Sequence, residues 1–418
     1  MSEAVTQRNL PKLRFPGFSG AWEEMRLGDI VSLQSGFAFS SDHFGDAGRK
    51  LMTPKNFTAF GTPLFTDENT KRTVEEAASR FLCGEGSLLM LLTDLTPSCE
   101  LLGKTVLLTS KDEEVWLNQR IVKIQNDPQK LDRQFTHGFF QTSAFHKRIV
   151  ETASGSTVRH SSNRIIADTS LMIPTLPEQQ KIADFLGAVD ARVGLLRRRR
   201  DALKAYKKAM MQRLFARALR FTKPDGSPFP DWQEKRLGEI ATFSKGRGVS
   251  KADIAENGGT PCIRYAELYT IYDEIIHSVA HATNEPEGSL LLSKKGDVII
   301  PASGEAALEI AAAACVALDG IALGGDLNVI RSALNGAFLA RYLRHFKRLD
   351  IAKVAQGNSV VHLYAAQLKV LKIEIPHPEE QQKIADFLTA LDTKIDAVAA
   401  QIAAMQRFKQ GLLQQMFV

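Results

Sequence analysis

One long stretch of this chain occurs twice, and the repeat constrains the fold more than any other feature of the sequence. The first copy runs from Glu178 to Phe215 and the second from Glu380 to Phe417, at a constant offset of 202 residues (417 − 215). Both copies open with Glu-Gln-Gln-Lys-Ile-Ala-Asp-Phe-Leu. A segment that recurs without gaps indicates a chain assembled from copies of one structural unit.

Both copies are predicted to form long helices. Apolar residues recur every seven positions, and a second row follows four positions later, which is the spacing of a coiled coil. Pro177 and Pro378 lie at the predicted starts, where proline is tolerated, and a helix of about 40 residues is about 60 Å long. The predicted helix–helix interface consists of Ile182, Leu186, Val189, Leu196, Leu203, Met210, Ile384, Leu388, Leu391, Ile395, Val398, Ile402, Met405 and Leu412.

Two arrangements satisfy this pattern: one long core helix in each half, or two helices that pair with each other as a spacer. The second is favoured because the copies are equally long and each follows a separate globular segment. A shorter repeat opens each of those segments, with Trp22 before Arg26–Ile30 and Trp232 before Arg236–Ile240. The predicted domains are residues 1–175 (first globular domain), 176–220 (first long helix), 221–375 (second globular domain) and 376–418 (second long helix).

Between these anchors the two halves diverge, and short β-like runs alternate with turns. The predicted strands are 87–92, 104–108, 121–124 and 171–173 in the first half, and 297–301, 315–318, 328–331 and 373–375 in the second. A short helix is predicted in each half, at 134–151 and at 336–355. The sequence therefore predicts an α+β protein with two similar α/β domains, each followed by a long helix.

Composition excludes several classes of protein. The net charge of +6 is compatible with an anionic partner, although many basic proteins bind none. The four cysteines form no CxxC pair, so neither a zinc site nor a disulfide framework is indicated. No apolar run is long enough to span a membrane and no signal peptide is indicated, so we expect a soluble, cytoplasmic protein.

Motifs for catalysis or cofactor binding are weak or missing. Gly103-Lys104-Thr105 lacks the first glycine of a phosphate-binding loop, since Ser98 stands at that position. No GxGxxG follows a predicted strand, and the Asn/Asp-Pro-Pro-aromatic signature of amino methyltransferases is absent. His277 and His281 have the spacing of a helical metal pair but fit a surface loop better. We predict no catalytic and no metal site.

A run of four arginines, Arg197–Arg200, is the strongest charge feature. Side chains of four consecutive residues point all round a helix, so some must face away from the apolar stripe. A solvated helix face is one explanation, and contact with phosphates or with an acidic partner is the other. The second long helix has Ala-Ala-Gln-Ile at the equivalent place, so the repeat's packing does not require the run.

Side chains that could read DNA bases are sought where the two halves diverge. Arginine pairs well with guanine, and asparagine or glutamine with adenine, so polar donors in predicted loops are the candidates. They are Lys55, Asn118, Gln119, Arg120, Arg159, His160, Lys245, Arg247, Lys251, Arg264, Tyr265 and His362. Each alone also fits an ordinary surface residue, and the group has weight only because it lies in the non-matching parts of a duplicated frame.

The order of motifs resembles that of the specificity (S) subunit of type I restriction–modification systems. The resemblance covers essentially the whole chain. It rests on Trp22 and Trp232 with the pentapeptides that follow them, on the glycine turns Gly155-Ser156 and Gly357-Asn358, and on the twin openings of the long helices. The one departure is Asn358 where the first half has Ser156, and it concerns only the detail of that turn.

This resemblance implies two target recognition domains separated by two long antiparallel coiled-coil helices, related by a pseudo-two-fold internal repeat. Each domain would read one half of a split site in double-stranded DNA. Two methyltransferase (M) subunits would dock on this frame, and motor-nuclease (R) subunits would complete the restriction complex used in phage defence. S-adenosylmethionine and ATP would belong to those partners, with no cofactor in this chain.

The main hypothesis is therefore a non-catalytic DNA-recognition subunit. An interaction scaffold whose two globular domains bind proteins rather than DNA is a second hypothesis. An enzyme with an unrecognised site is a third, which the scattered titratable residues disfavour.

Overall fold

The computed structural model describes residues 10–94, 96, 98–156, 158–357 and 360–418. The chain divides into two compact units: the described part of Met1–Arg199 together with Val398–Val418, and Arg200–Ala397. Each unit therefore holds one globular domain, the start of one long helix and the end of the other. The boundaries predicted along the chain stay a prediction, and Asn358 lies outside the described residues.

The first unit combines two sheets with helices. Its helices are α1 (Arg133–Phe140), α2 (Ser143–Glu151), α3 (Asn163–Ala167) and α4 (Leu176–Phe215), of which α4 continues into the second unit. Its strands are β1 (Glu23–Arg26), β2 (Val31–Ser35), β3 (Phe44–Gly45), β4 (Arg49–Met52), β5 (Lys71–Thr73), β6 (Leu82–Cys83), β7 (Leu88–Leu91), β8 (Thr93–Asp94), β9 (Thr105–Leu107), β10 (Val115–Leu117), β11 (Ile121–Asn126), β12 (Arg159–His160) and β13 (Ser170–Ile173). The sheets have the orders β2-β11-β7-β9 and β3-β5-β4-β10-β6.

The second unit repeats most of this plan. Its helices are α5 (Leu237–Ile240), α6 (Glu267–Thr270), α7 (Gly336–Arg341), α8 (Arg348–Val354), α9 (Ala365–Lys369) and α10 (Pro378–Met416). Its strands are β14 (Gln233–Arg236), β15 (Ala241–Lys245), β16 (Ile254–Ala255), β17 (Thr260–Ile263), β18 (Ile275–Ile276), β19 (His281–Thr283), β20 (Val298–Pro301), β21 (Ser303–Gly304), β22 (Ala314–Val316), β23 (Ala322–Leu323), β24 (Leu327–Ser332), β25 (Val361–His362) and β26 (Lys372–Ile375). The sheets have the orders β15-β24-β20-β22-β18 and β16-β19-β17-β23.

The repeat is visible in the strand order. Strands β2-β11-β7-β9 correspond to β15-β24-β20-β22, and the small pairs β1-β13 and β12-β8 correspond to β14-β26 and β25-β21. The units differ at two strands, because β6 adds to the second sheet of its unit, whereas β18, which lies earlier along its unit between β17 and β19, extends the first sheet. The predicted fold class, two similar α/β domains within an internal repeat, is confirmed.

The central strand of each domain is buried on both faces, which explains its apolar sequence. In β7, Leu88 and Met90 pack in a core with α1 and the start of α4, while Leu89 and Leu91 pack under the other sheet. Alternate residues of a strand point to opposite faces, so one strand serves two cores. In β20, Val298 and Ile300 face the long-helix side in the same way.

The single helix predicted at 134–151 is wrong, because the chain there forms two helices. The hydroxyl of Thr142 donates to the carbonyl of Phe139 at 2.7 Å and accepts from the backbone N–H of Phe145 at 3.3 Å. Such local bonds compete with helix continuation, so α1 ends and α2 begins at this residue. The helix predicted at 336–355 is likewise broken, into α7, a π-helical turn at Tyr342–Phe346 and α8.

The repeated Glu-Gln pair fastens each domain to the start of its long helix. The buried carboxylate of Glu178 accepts from Arg14 at 2.7 and 2.8 Å, and that of Glu380 accepts from Arg220 at 3.1 and 2.9 Å. The following glutamine holds a helix cap, since Gln179 accepts from the backbone N–H of Asp132 at 2.8 Å. These buried contacts account for the repetition of the motif.

The same cap is present in the second unit. Gln381 accepts from the backbone N–H of Asn335 at 2.9 Å and donates to the carbonyl of Pro376 at 2.9 Å. The indole groups differ between the units, because Nε1 of Trp232 donates to Glu380 at 3.2 Å while Nε1 of Trp22 has no partner among the described residues.

Within each unit the two long helices run antiparallel. In the first unit Lys409 of α10 pairs with Asp190 of α4 at 2.7 Å, and in the second Lys207 of α4 pairs with Asp392 of α10 at 2.6 Å. The two pairs are related by the repeat, because each residue matches its counterpart at the offset of 202. Most of the predicted interface residues are buried, and Leu203 and Met405 are half-buried.

The ends of the long helices meet equivalent segments of chain. The backbone N–H of Leu13 donates to the carbonyl of Gln415 at 2.9 Å, as that of Leu219 does to Arg213 at 3.1 Å. The second contact is made through the short connection 216–218, whereas Leu13 and Gln415 are remote in sequence. The segment at Leu13 therefore contacts the end of α10 in the same way as the segment at Leu219 contacts the end of α4.

A circular permutant that exchanges the two connections should therefore fold. The permutant begins at Leu219, runs to Phe417, continues through Ala-Arg-Ala copied from 216–218, and resumes at Leu13 to end at Phe215. We expect a thermal midpoint close to that of the parent chain, because every contact described above is kept. Calorimetric unfolding checks this, with a permutant opened inside β20 as the control that should not fold. If the permutant that begins at Leu219 also failed to unfold cooperatively, the two connections would not be equivalent.

No helix in the described part of the chain combines the length and the apolar character needed to cross a membrane.

Candidate nucleic-acid interface

Four of the predicted base-reading residues of the first domain come together at the ends of two parallel strands. Strands β4 and β10 pair in parallel, with Met52 opposite Leu117, so the turns that follow them are neighbours. Lys55 follows β4 and the segment Asn118–Arg120 follows β10, and they line one cleft of about 390 Å3. We call Lys55, Gln119 and Arg120 the first strand-end cluster.

The backbone beneath this cluster is held by buried polar contacts. Asn56 is fully buried, and its side-chain oxygen accepts from the backbone N–H of Thr53 at 2.8 Å. Asn118 is also buried, and its side-chain oxygen accepts from the backbone N–H of Arg120 at 3.1 Å. Asn118 therefore shapes the turn, while Lys55, Gln119 and Arg120 are exposed.

Glycine is required where β2 passes this turn. The backbone N–H of Phe37 donates to the carbonyl of Leu117 at 2.9 Å, and a Cβ on Gly36 would collide with the carbonyl of Asn118. The second domain has the same close approach, because a Cβ on Gly246 would collide with the carbonyl of Gly324. The glycines repeated in sequence thus mark one shared backbone crossing.

The second domain builds an equivalent edge with different side chains. Strands β17 and β23 also pair in parallel, and Arg264 and Tyr265 follow β17. Glu267 takes the place of Asn56, since its buried carboxylate accepts from the backbone N–H of Arg264 at 3.2 Å. The turn after β23 is Gly324-Gly325-Asp326, with Asp326 exposed. We call Arg264, Tyr265 and Asp326 the second strand-end cluster.

Three further candidates of this domain are exposed near the glycine crossing. The backbone N–H of Arg247 donates to the carbonyl of Leu323 at 2.8 Å, so Arg247 lies beside the end of β23. Lys245 is exposed but belongs to β15, which corrects its prediction as a loop residue, and Lys251 is exposed beyond it.

Arg264 is half-buried and its Nε donates to Glu267 at 2.8 Å, so this guanidinium is partly occupied by an internal ion pair.

The remaining candidates lie in the strands β12 and β25 and make internal contacts. Arg159 donates to the carbonyl of Val150 at 2.9 Å, and Nδ1 of His160 lies 3.0 Å from the hydroxyl of Thr93. His362 is half-buried and stacks on Tyr364. His160 and His362 hold matching places in the repeat. His160 of β12 pairs with Thr93 of β8, and His362 of β25 pairs with Ser303 of β21. The prediction of loop positions for these residues is wrong, because short antiparallel pairs hold them.

Sequence reasoning missed several residues at these edges. Lys71 and the rings of Phe39 and Phe44 also line the first cleft, with the ammonium of Lys71 5.2 Å from the Phe44 ring centroid. Asp326 was missed in the second domain. Phe39 and Lys71 come from distant parts of the chain, so no local pattern links them to Arg120, whereas the Gly-Gly pair before Asp326 was a readable turn signal.

The arginine run is divided among different roles. Arg197 donates to the hydroxyl of Thr62 at 3.1 Å and lies 5.7 Å from the Phe60 ring centroid, which packs it against the first domain. Arg200 pairs with Asp201 at 2.8 Å. Arg198 and Arg199 are exposed, so these two are the members available for an acidic partner.

The remaining histidines and the cysteines of the described chain are the other candidates for metal ligands or nucleophiles. Among the residues that the structure describes, no three His, Cys, Asp or Glu side chains could hold a metal ion. His281 lies in β19 rather than in a loop and is 3.1 Å from Glu267. Burial raises the pKa of the Cys83, Cys262 and Cys315 thiols to about 11, which makes them poor nucleophiles.

Comparisons with known proteins agree on one family. A model of the type I restriction modification DNA specificity domain matches the chain twice, over residues 20–205 and 230–407. The type I restriction enzyme MjaVIII specificity subunit of Methanocaldococcus jannaschii is 21% identical over 426 residues, covering 94% of this chain and 91% of that protein. The EcoBI specificity subunit of Escherichia coli is 32% identical over 115 residues, 27% of this chain and 24% of that protein.

Solved structures share the fold. The S subunit of a type I restriction–modification system from M. genitalium has a TM-score of 0.59 at 16% identity, covering 98% of this chain and 99% of that one. A chain from a structural study of complex assembly in the type I R-M system has a TM-score of 0.56 at 18% identity, covering 97% of this chain and 99% of that one. At these identities the likeness shows the fold alone.

Proposed function

The chain belongs to the type I restriction–modification DNA specificity family, whose domain it carries twice, and from this membership we propose that the two strand-end clusters are its base-reading edges. It is the DNA-specificity subunit of the complex, with each domain reading one half of a bipartite site. The observation that carries the proposal is the shared backbone frame with different exposed side chains. Lys55, Gln119 and Arg120 are exposed on one edge, and on the other Asp326 is exposed and Tyr265 is half-buried.

The chemistry of the clusters suits base edges in the major groove. Gln119 can bond adenine in a bidentate way, Arg120 can bond guanine, and Asp326 can accept from the amino group of cytosine. Lys55 adds phosphate contact, which positions the protein without selecting sequence. His160 and His362 are poor candidates for discrimination between half-sites, because both domains have a histidine at the same strand position.

Replacing Gln119 and Arg120 by alanine should change one half of the recognised sequence and leave the other half unchanged. Each good bidentate contact discriminates by about 1–3 kcal/mol, so its loss relaxes one position by about one or two orders of magnitude. The measurement is sequencing of methylated sites in cells that carry this chain with its partner subunits.

The reciprocal variant is Asp326→Ala, which should change the other half of the site. Lys111→Ala and Glu287→Ala are matched controls, because both residues are exposed in the same two domains but outside the clusters. A change in both half-sites from either cluster variant would refute separate reading, and so would an unchanged site in both variants.

We also propose that the partners supply the chemistry. Two methyltransferase subunits would dock on the chain and bring S-adenosylmethionine, and motor-nuclease subunits would bring ATP hydrolysis. The chain would contribute recognition, and its long helices would set the gap between the half-sites. Calorimetric titration of the purified chain with S-adenosylmethionine is expected to show no binding, and binding would contradict this division of labour.

A protein-binding scaffold would behave differently on heparin. A DNA-binding chain that neutralises phosphates releases counterions, so its retention should fall steeply with salt. Retention that hardly depends on salt would favour the scaffold.

A further inference from the structure

A small charged pocket lies within the first unit, beside the pairing of Asp190 with Lys409. The pocket has a volume of about 80 Å3 and is lined by parts of α4, the end of α10 and the globular domain. Its charged lining residues are Lys104, Asp190, Arg197 and Lys409. Three cationic side chains thus surround a space that contains a single carboxylate.

The cationic side chains of the pocket differ in whether a partner balances their charge. Lys409 is buried and pairs with Asp190 at 2.7 Å, and Arg197 contacts Thr62 and the Phe60 ring as described above. The ammonium of Lys104 makes no hydrogen bond or ion pair with any described residue. Burial and the positive charge of Lys409 both lower the pKa of Lys104. A half-buried ammonium without a counter-charge is costly.

The internal repeat shows how the same arrangement is completed elsewhere in the chain. In the second unit Lys207 corresponds to Lys409 and Asp392 corresponds to Asp190. There Lys207 has a second partner, because it also donates to the buried carboxylate of Glu274 at 2.9 and 3.2 Å. Among the described residues of the first unit, Asp190 is the one carboxylate that pairs with Lys409. The pocket that Lys104 also lines adjoins Lys409.

We propose that this pocket binds a small oxyanion, of the size of inorganic phosphate or sulfate, between Lys104 and Lys409. The anion would take the role that the Glu274 carboxylate has in the second unit. The volume admits several water molecules or one small ion, and it lies well below the 300–1,000 Å3 of pockets that hold drug-sized ligands. The site goes beyond the proposed function, since it lies away from both strand-end clusters.

The anion would join the globular domain to the helix pair. Lys104 directly precedes β9, and Lys409 belongs to α10. A ligand that binds only the folded unit stabilises it in proportion to the logarithm of its concentration. The bound anion should therefore raise the thermal midpoint of the first unit, and the midpoint should keep rising with the logarithm of the phosphate concentration after the single site has filled.

The test is calorimetric titration of the full chain, alone or in its complex with the methyltransferase subunits, with inorganic phosphate at constant ionic strength. One site per chain is expected, together with a higher thermal midpoint in phosphate than in chloride. Lys104→Met should lose at least tenfold in phosphate affinity, while Lys111→Met, an exposed lysine of the same domain, should lose none. Lys104→Met does not touch the strand-end clusters, so the methylated sequence should stay unchanged.

Lys104→Glu is the second variant and mimics the second unit. Its carboxylate could pair with Lys409, so we expect a thermal midpoint in chloride at least as high as that of the parent chain, and no response to phosphate. Equal responses to phosphate and chloride in the parent chain would overturn the proposal. Unchanged phosphate binding in both Lys104 variants would overturn it as well, because the phosphate would then bind elsewhere on the basic surface.

Discussion

Glu380→Gln is expected to destabilise the second unit by about 3 kcal/mol, since it breaks a buried ion pair. Glu380 is fully buried, and its oxygens accept from Arg220 at 3.1 and 2.9 Å and from Nε1 of Trp232 at 3.2 Å. Glutamine has almost the same shape but no charge, and only its carbonyl oxygen can accept a hydrogen bond, so its NH2 group faces a donor where Glu380 has its second oxygen. The loss therefore reports the charge and its hydrogen bonds rather than a cavity.

The matched control is Glu379→Gln, one residue earlier and exposed. Substitution of such a surface residue usually changes stability by less than about 0.5 kcal/mol. Denaturant unfolding of the two variants side by side gives the measurement. Equal stabilities would mean that the carboxylate of Glu380 does not fasten the domain to α10.

Glu274→Gln should cost about 1.5–3 kcal/mol, the range for hydrogen bonds to a charged group. Glu274 is buried and accepts from Nζ of Lys207 at 2.9 Å and from Nε2 of His345 at 2.6 Å. Lys207 keeps Asp392 as a partner at 2.6 Å in the variant, so the loss should be smaller than for Glu380→Gln. Asp273→Asn, the exposed neighbour, is the control and should be nearly neutral.

The effect of Glu274→Gln should depend on pH. Burial alone would raise the pKa of the Glu274 carboxyl, but hydrogen bonds from His345 and Lys207 and the charge of Lys207 hold it well below its ordinary value of 4.5. A depressed pKa stabilises the folded state above the unfolded pKa, and this contribution is lost as the pH falls towards the folded pKa. The stability gap between parent and variant should therefore be full above about pH 5 and shrink below pH 4.5. A gap that stays constant between pH 6 and pH 3 would contradict the role of the charge.

Local periodicity accounts for the parts of the fold that were predicted correctly. The long helices follow from a heptad pattern that many residues share, and β7 and β20 follow from short apolar runs. The helix break at Thr142 was missed because one hydroxyl decides it, by bonding Phe139 and Phe145 where the apolar pattern continues on both sides. A pattern averaged over a window does not register a single capping side chain.

The candidate site was predictable only in part, for a related reason. Gln119 and Arg120 are adjacent in sequence and directly precede the predicted strand 121–124, so donors in a loop could be recognised. Lys55 lies near them only because β4 pairs in parallel with β10, which joins segments 65 residues apart (117 − 52). Asn118 looked equivalent to its neighbours, but the turn uses its side chain to bond the backbone of Arg120.

The sequence by itself determined that the chain consists of two copies of one structural plan. The repeat lies in the order of the residues, so its heptads, glycines and Glu-Gln pairs can be recognised without a structure. Only the tertiary structure decided what the repeated residues do. Glu178 and Glu380 became buried partners of Arg14 and Arg220, and Lys409 came to face a pocket where Lys207 faces a carboxylate. The physical reason is that burial and charge pairing depend on residues brought together from distant parts of the chain, and identical motifs acquire different partners when the segments around them have diverged.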